Sequence, residues 1–418
     1  MEKSKIPIKT KNLLQCFKLM FFFLYHTGCL SFRLQSGGDL HYTQWSSFYV
    51  IIVRFVLLGC FCGGMTIKIT TEQFYNAMIG RLSPIVVFIM CLESVVSVLC
   101  YLVVTFSLDT TRKEHLICWN RLQNLDDQVV KDFPNVNWNY HKNSRKYTRL
   151  TAAIYSYFSI ISFGFVFNLA NCRCGYLSSF LISFSYACIT GSPGLAGFLF
   201  VVQMDMLRLR FRLLRKVFLL NFVANSGRIR RQSDIKILRK FKLLEYYFKE
   251  YSALIPRFNA VFNVVSSASM FYDFAILTNM GFLLCSKAIE SNTHWKEYLF
   301  VAFFMLPRIY KVVVCSIYGH MAHAERKNVW QEFVHMESYF NKSLIVRDNM
   351  ESLFHWRMHN NDYFTVGKTM RFNLGLMFMI FNSIANYIII LIQLQFQQNI
   401  ITETLNSGSS KDVEMIEI

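Results

Sequence analysis

Asn382, Asn386, Gln393 and Gln397 recur four, seven and four residues apart near the carboxyl end of this 418-residue chain. At about 100° per residue they share a ~60° arc of one helix face. Amides in such a line can replace part of a cation's hydration without fixing the ion, and Ile389 and Ile390 beside them would supply an apolar constriction. The neighbouring residues are Ile, Leu, Met and Phe. The arc therefore either packs against sibling helices within one subunit or lines water where several subunits meet.

Buried charge is the second chemical signal. Arg54, Glu93, Arg308 and Lys311 all lie inside apolar runs. Arg54 and Glu93 each sit roughly 15 Å from the end of their run by helical rise, so an ion pair between them is the economical arrangement. The charges would form a structural pair, or Arg54 would snorkel, or they would serve ligand recognition or gating. Arg308 follows Pro307 near mid-depth, and Lys311 can reach the interface. Phe88, Phe163, Phe167, Asn168, Tyr176, Phe180, Phe184, Tyr272, Asp273 and Phe304 gather in the outer halves of the second to sixth runs. A cavity walled by them would suit a small, mostly apolar organic molecule, whereas a lipid-facing aromatic belt would account for many of them one by one.

Enzyme chemistry finds little support, because the chain has no GxGxxG, phosphate loop, HExxH or GxSxG. His320 with His323, and His355 with His359, have spacings that could share a metal, but no Cys or carboxylate completes either site. No enzyme activity, metal or cofactor is expected.

The elements that must position these residues follow from composition. The chain is 53% hydrophobic and only 17% charged, with 41 Phe and 21 Tyr, which points to a membrane protein rather than a soluble or disordered one. Seven apolar runs, about 45–67, 83–107, 151–170, 176–203, 258–285, 298–319 and 373–395, are each long enough to cross a bilayer as a helix. The fold class is all-α, a polytopic membrane protein with seven transmembrane helices. Of the 44 Lys and Arg, 35 fall in segments 1–44, 108–150, 204–257 and 320–372, and 6 in the alternate segments. Basic segments are retained in the cytosol, so the amino terminus is cytosolic and the carboxyl terminus extracellular. The charges recur between runs instead of forming one patch, so the net +18 implies membrane lipid and not nucleic acid as partner.

This divides the chain into a cytosolic amino-terminal segment, 1–44, and a six-span bundle with ligand pocket and cytosolic helical extensions, 45–319. Cytosolic anchor helices, 320–372, the span 373–396 and an extracellular tail, 397–418, follow. The stretch around Leu19 to Tyr25 reads as an amphipathic helix lying on the membrane. Gly191-Ser192-Pro193-Gly194 predicts a kink or break in the fourth span. Arg208–Leu220, Ile235–Tyr251, Glu325–Phe340 and Ser352–Tyr363 read as helical, with a turn at Asn225-Ser226-Gly227.

Seven spans with a cytosolic amino terminus invert the arrangement of G-protein-coupled receptors and resemble the insect chemoreceptor superfamily. Insect gustatory receptors end in a motif written TYhhhhhQF, with h apolar. The matching stretch here runs from Asn386 through Tyr387, five apolar residues and Gln393 to Leu394, with Asn386 in place of Thr and Leu394 in place of Phe. The resemblance implies a homotetrameric or heterotetrameric ligand-gated cation channel with other gustatory receptors as partners, one pore helix per subunit, and Gln393 and Leu394 at the outer gate. Sugar-receptor members tend to carry Glu where Ile388 stands, which points toward a bitter or otherwise aversive tastant. The plasma membrane of gustatory neurons, in dendrites or axons, is the implied location. The alternatives are an insect odorant receptor channel, which shares the topology, and a G-protein-coupled receptor.

Overall fold

The computed structural model describes residues 13–34, 40–70, 84–136, 138–170, 176–223, 234–289, 295–339, 353, 355–356 and 363–414. A short 3-10 turn, Leu13–Phe17, leads into α1, Lys18–His26. An antiparallel hairpin follows, β1 (Phe32–Leu34) with β2 (Leu40–Tyr42). The long helices are α2 (Gln44–Ile69), α3 (Pro84–Thr110), α4 (Arg112–Asp132), α5 (Tyr140–Ala170), α6 (Tyr176–Phe218), α7 (Asp234–Ile289) and α8 (Trp295–Tyr339). A second hairpin, β3 (Thr365–Val366) with β4 (Met370–Arg371), precedes α9, Leu374–Glu414.

Each of the seven apolar runs falls within one helix, since consecutive apolar residues at this length satisfy their backbone only as helix in lipid. Six of these helices, α2, α3, α6, α7, α8 and α9, are long and apolar enough to cross a membrane. The third run lies in α5, whose first turns are polar. The all-α architecture is as the sequence implies.

The fourth run is not broken. Helix α6 runs without interruption through Pro193 and ends in a π-helical turn at Leu219–Val223; Ser269 of α7 donates to the Pro193 carbonyl at 3.4 Å and packing surrounds the site. It is the axis of the bundle, with 94% of its apolar window buried against 11% for α9. The basic extensions of α6, α7 and α8 are helical as expected, while the turn at Asn225–Gly227 and most of 352–363 lie outside the described residues.

The apolar face of α1 and of the turn before it is packed against protein. Leu14, Phe17, Met20, Phe21 and Leu24 are fully buried, with the Phe17 ring 5.2 Å from both Trp119 and Tyr147. Only Lys18, Phe22 and His26, on one edge, are exposed. Its apolar face has a protein partner in α5 and α6, which outcompetes lipid because it offers close-packed aromatic contacts.

At the basic end of the bundle a buried carboxylate joins four helices. Asp126 of α4 accepts from Arg210 of α6 through Nε at 3.1 Å and again through Nη2, from Tyr140 of α5 at 2.7 Å and from Tyr251 of α7 at 2.9 Å. Asp126 and Arg210 are 0% and 1% exposed. Nearby, Asp205 pairs with Lys146 at 2.8 Å and Arg208 at 2.6 Å and accepts from Tyr147. In the same region His115 is packed between Phe32 and Phe262, and burial drives its imidazole down to about 3, so it is neutral.

Candidate functional site

Two features could carry function: a polar network inside the bundle and the free face of α9. The network is assembled from α3, α6, α7 and α8. Tyr186 donates to Glu93 at 2.6 Å, Ser97 donates to the Tyr272 hydroxyl at 3.1 Å, and Arg308 donates to the same hydroxyl at 3.2 Å. Arg308 also bonds the Phe304 carbonyl at 3.1 Å and lies 4.3 Å from the Phe304 ring centre. One turn further along α8, Lys311 pairs with Asp273 at 2.5 Å and donates to Ser269. All of these side chains are buried. Charges so far from water persist only when paired and hydrogen-bonded, which fixes the mutual position of four helices.

Beside the network a cavity of about 30 Å³ opens between α5, α6, α7 and α8, with Tyr155, Thr190, Tyr272, Pro307 and Arg308 in its wall. That is room for a water molecule. Organic ligands occupy roughly 300–1,000 Å³, so admitting one here requires the four helices to part.

Four of the sequence-derived pocket residues meet at this place: Glu93, Tyr272, Asp273 and Phe304. Phe88, Tyr176, Phe180 and Phe184 do not, being 65%, 76%, 48% and 50% exposed on the outer surface. Phe180 contacts Phe163 and stacks with Phe184, as in an aromatic belt. The side chains of Phe167 and Asn168 lie outside the described residues. Sequence reasoning missed Tyr186 and the small-residue wall around Thr190. A hydroxyl one helix away from a mid-span Glu was the available signal.

The expected Arg54–Glu93 pair is replaced by Arg54–Asp109, at 2.5 Å. Glu93 and Asp109 are sixteen residues apart on α3, about 24 Å by helical rise. The flexible Arg54 side chain extends to the end of α3, where it also donates to the Gly28 carbonyl at 2.7 Å. Charge at that level keeps some contact with water and costs less than charge at mid-depth. A double-mutant cycle on thermal unfolding of the purified protein should give Arg54→Ala and Asp109→Ala a coupling of ~0.5–3 kcal/mol. Arg54→Ala and Glu93→Gln should add to within ~0.5 kcal/mol.

The geometry of α9 shows which of its faces meets the bundle. One face of α9 holds Ile384, Ile388 and Gln395 against the bundle. Ile388 fits where Gly281 of α7 leaves space that any β-carbon would fill, and Gln395 donates to Ser286 at 2.8 Å. Tyr387 sits edge-on to Phe274 at 5.6 Å. Asn382, Asn386, Gln393 and Gln397 are exposed, as are Ile389, Ile390 and Leu394. With 100° per residue, the amide arc points about 180° away from the packed face. It does not pack against sibling helices of its own subunit.

The start of α9 is held by the second hairpin, which the sequence reading had placed among helices. Three residues, Gly367 to Thr369, connect β3 to β4; Gly367 and Lys368, at φ +61° and +63°, are the central residues of a turn closed by the Thr369 amide donating to the Val366 carbonyl at 3.2 Å. Asn259 of α7 clamps the hairpin, donating to the Tyr363 carbonyl at 2.6 Å and accepting from the Thr365 amide at 3.2 Å. Phe364 and Phe372 pack on Phe200 of α6, Phe372 fills the space above Gly319 of α8, and Asn373 caps α9 through the Leu376 amide at 2.8 Å.

Among the described residues no three His, Cys, Asp or Glu side chains converge as a metal site. His323 stacks on Tyr363 at 4.3 Å.

Comparison with known proteins places this architecture. The model of the 7tm chemosensory receptor family matches residues 17–398. The chain is 30% identical to gustatory receptor 47b of Drosophila melanogaster over 404 residues, 96% of this chain and 95% of that protein. It is 23% identical to gustatory receptor 57a of the same fly over 365 residues, 85% of this chain and 86% of that protein. Among solved structures, the olfactory receptor OR5 of Machilis hrabei in complex with eugenol superposes with a TM-score of 0.57 at 11% identity, covering 91% of this chain and 98% of that one. The same receptor without that ligand gives 0.56. This chain is therefore a multi-pass membrane protein of the insect chemosensory receptor fold, and it belongs to the 7tm chemosensory receptor family.

Proposed function

We propose that this chain is a gustatory receptor subunit that conducts cations when a small organic tastant binds. Seven spans, a cytosolic amino terminus and an extracellular carboxyl terminus make up the proposed topology, with the subunits meeting as a homo- or heterotetramer in the plasma membrane of taste neurons. The observation that carries the reading is the amide arc of α9, which faces away from its own bundle although a polar stripe must face protein or water. Four such helices around an axis would present rings of amides with Ile389, Ile390 and Leu394 at the constriction, which predicts weak selectivity among monovalent cations. The likeness to two fly gustatory receptors favours taste over smell, and Ile388 in place of the Glu common in sugar receptors favours a bitter compound. The Machilis receptor was solved with eugenol, and an organic ligand of that class is proposed here, entering between α5, α6, α7 and α8 beside Glu93, Tyr272 and Asp273.

Substituted-cysteine recording tests this. In Gln393→Cys, an externally applied, membrane-impermeant thiol reagent should remove most of the tastant-evoked current, while the unmodified chain stays unaffected. Leu391→Cys, half-buried and about 160° away, should also be unaffected. A block obtained only from the pipette side would invert the topology. Normal currents with no reagent effect at Asn386 or Gln393 from either side would place the conduction path elsewhere.

A further inference from the structure

Between the polar first turns of α5 and the basic extension of α6 lies a groove of about 630 Å³ that the channel reading does not use. Its rim carries Lys142 and Lys146 from α5 and Arg212, Arg215 and Lys216 from α6, and among the described residues no carboxylate lines it. Three of the five cations are partly neutralised from behind. Lys146 pairs with buried Asp205, which Arg208 shares, Arg215 pairs with Glu332 at 3.0 Å, and Arg212 approaches Glu325 only at 3.8 Å while 67% exposed. Lys142 and Lys216 are exposed and make no ion pair among the described residues. Counting Arg208, six cations face three carboxylates, so the groove holds a surplus of about three positive charges. Trp138 and Leu213 give it an apolar floor.

Position sharpens the chemistry. Lys146 and Lys142 lie about 8 and 14 Å by helical rise from Thr151, where the apolar run of α5 begins. The groove thus spans the depth of lipid headgroups and the water beyond them, if α5 and α6 cross the membrane as proposed. Its volume matches a ligand of headgroup size. Guanidinium forks and ammonium groups together suit several phosphates better than one carboxylate.

We propose that this groove binds a polyphosphorylated inositol group, as a phosphoinositide of the facing leaflet or as the soluble inositol phosphate. Nothing in this depends on conduction, so binding is measured on the purified full-length protein in detergent without recording current. Two probes are used: water-soluble inositol 1,4,5-trisphosphate, and a fluorescent phosphatidylinositol 4,5-bisphosphate in the micelle. Both should bind; tighter binding of the lipid probe identifies the bilayer as source, and equal affinity identifies the soluble compound. Because Lys142 and Lys216 are exposed and have no ion-pair partner among the described residues, the double variant Lys142→Gln/Lys216→Gln should melt as the unmodified protein does. At roughly fivefold per basic residue, it should bind both probes about thirtyfold more weakly. The proposal is overturned if the unmodified protein prefers neither probe over phosphatidylserine, or if the double variant binds as tightly as the parent.

Discussion

Replacing Asp126 with alanine should remove nearly all of the protein from the cell surface. Arg210 would be left fully buried, its guanidinium facing the Met206 carbonyl and sulfur and a Trp138 ring 4.9 Å away with no carboxylate beside it among the described residues. Tyr140 and Tyr251 would lose their acceptor at the same time. Breaking a buried pair in this way costs ~3–5 kcal/mol, a large fraction of the ~5–15 kcal/mol that holds a typical domain together. The adjacent Asp127 is exposed, and Asp127→Ala should change stability by less than ~0.5 kcal/mol. Asp126→Leu combined with Arg210→Met removes both charges and should recover much of the surface level. Equal losses in Asp126→Ala, Asp127→Ala and the double variant would mean that the buried carboxylate is not what joins the four helices. Surface biotinylation and thermal unfolding of the purified protein read the series.

Asp273→Leu should be nearly as damaging, for a related reason with a functional end. It leaves Lys311 and Arg308 in the bundle with Glu93 as the one remaining carboxylate of the network. Surface expression should fall severalfold, corresponding to a loss on the order of 3 kcal/mol. Asp273→Leu with Lys311→Met restores charge balance and should return to the surface. Because these groups border the 30 Å³ cavity, that double variant should then show a shifted tastant dose response with unchanged maximal current per surface receptor. A double variant with a normal dose response would confine the pair to a structural role.

Long apolar runs were legible because their length and composition admit only one backbone solution in lipid, so every expected span lies within a helix. That the α9 amides share one face was legible for the same reason, as spacing on a helix fixes direction, but whether that face meets its own bundle was not. Side-chain partners were not. Arg54 finds Asp109 at 55 residues' separation and Asp126 finds Arg210 at 84, and equal depth in two runs does not say which helices touch. Helix α1 looked interfacial because its apolar face is ordinary for either lipid or protein, and only the presence of Trp119 and Tyr147 opposite it decides. The β3–β4 hairpin escaped notice because Lys368 takes a positive φ that spacing alone does not suggest for a lysine.

That hairpin makes α9 a lever with its pivot at one end. The anchored end is held by a cap, by the Asn259 clamp and by Phe372 seated against two helices, whereas toward Gln393 the exposed face of α9 is free of its own bundle and the opposite face is tied through Ile388 against Gly281, Tyr387 against Phe274 and the Gln395 bond to Ser286. From Asn373 to Gln393 the arm is about 30 Å long. A swing of ~10° about the hairpin carries the Gln393 end sideways by about 5 Å while the pivot hardly moves. In the proposed tetramer, mechanical advantage of this sort would let a displacement too small to disturb the packed base open or close an aperture at the tip.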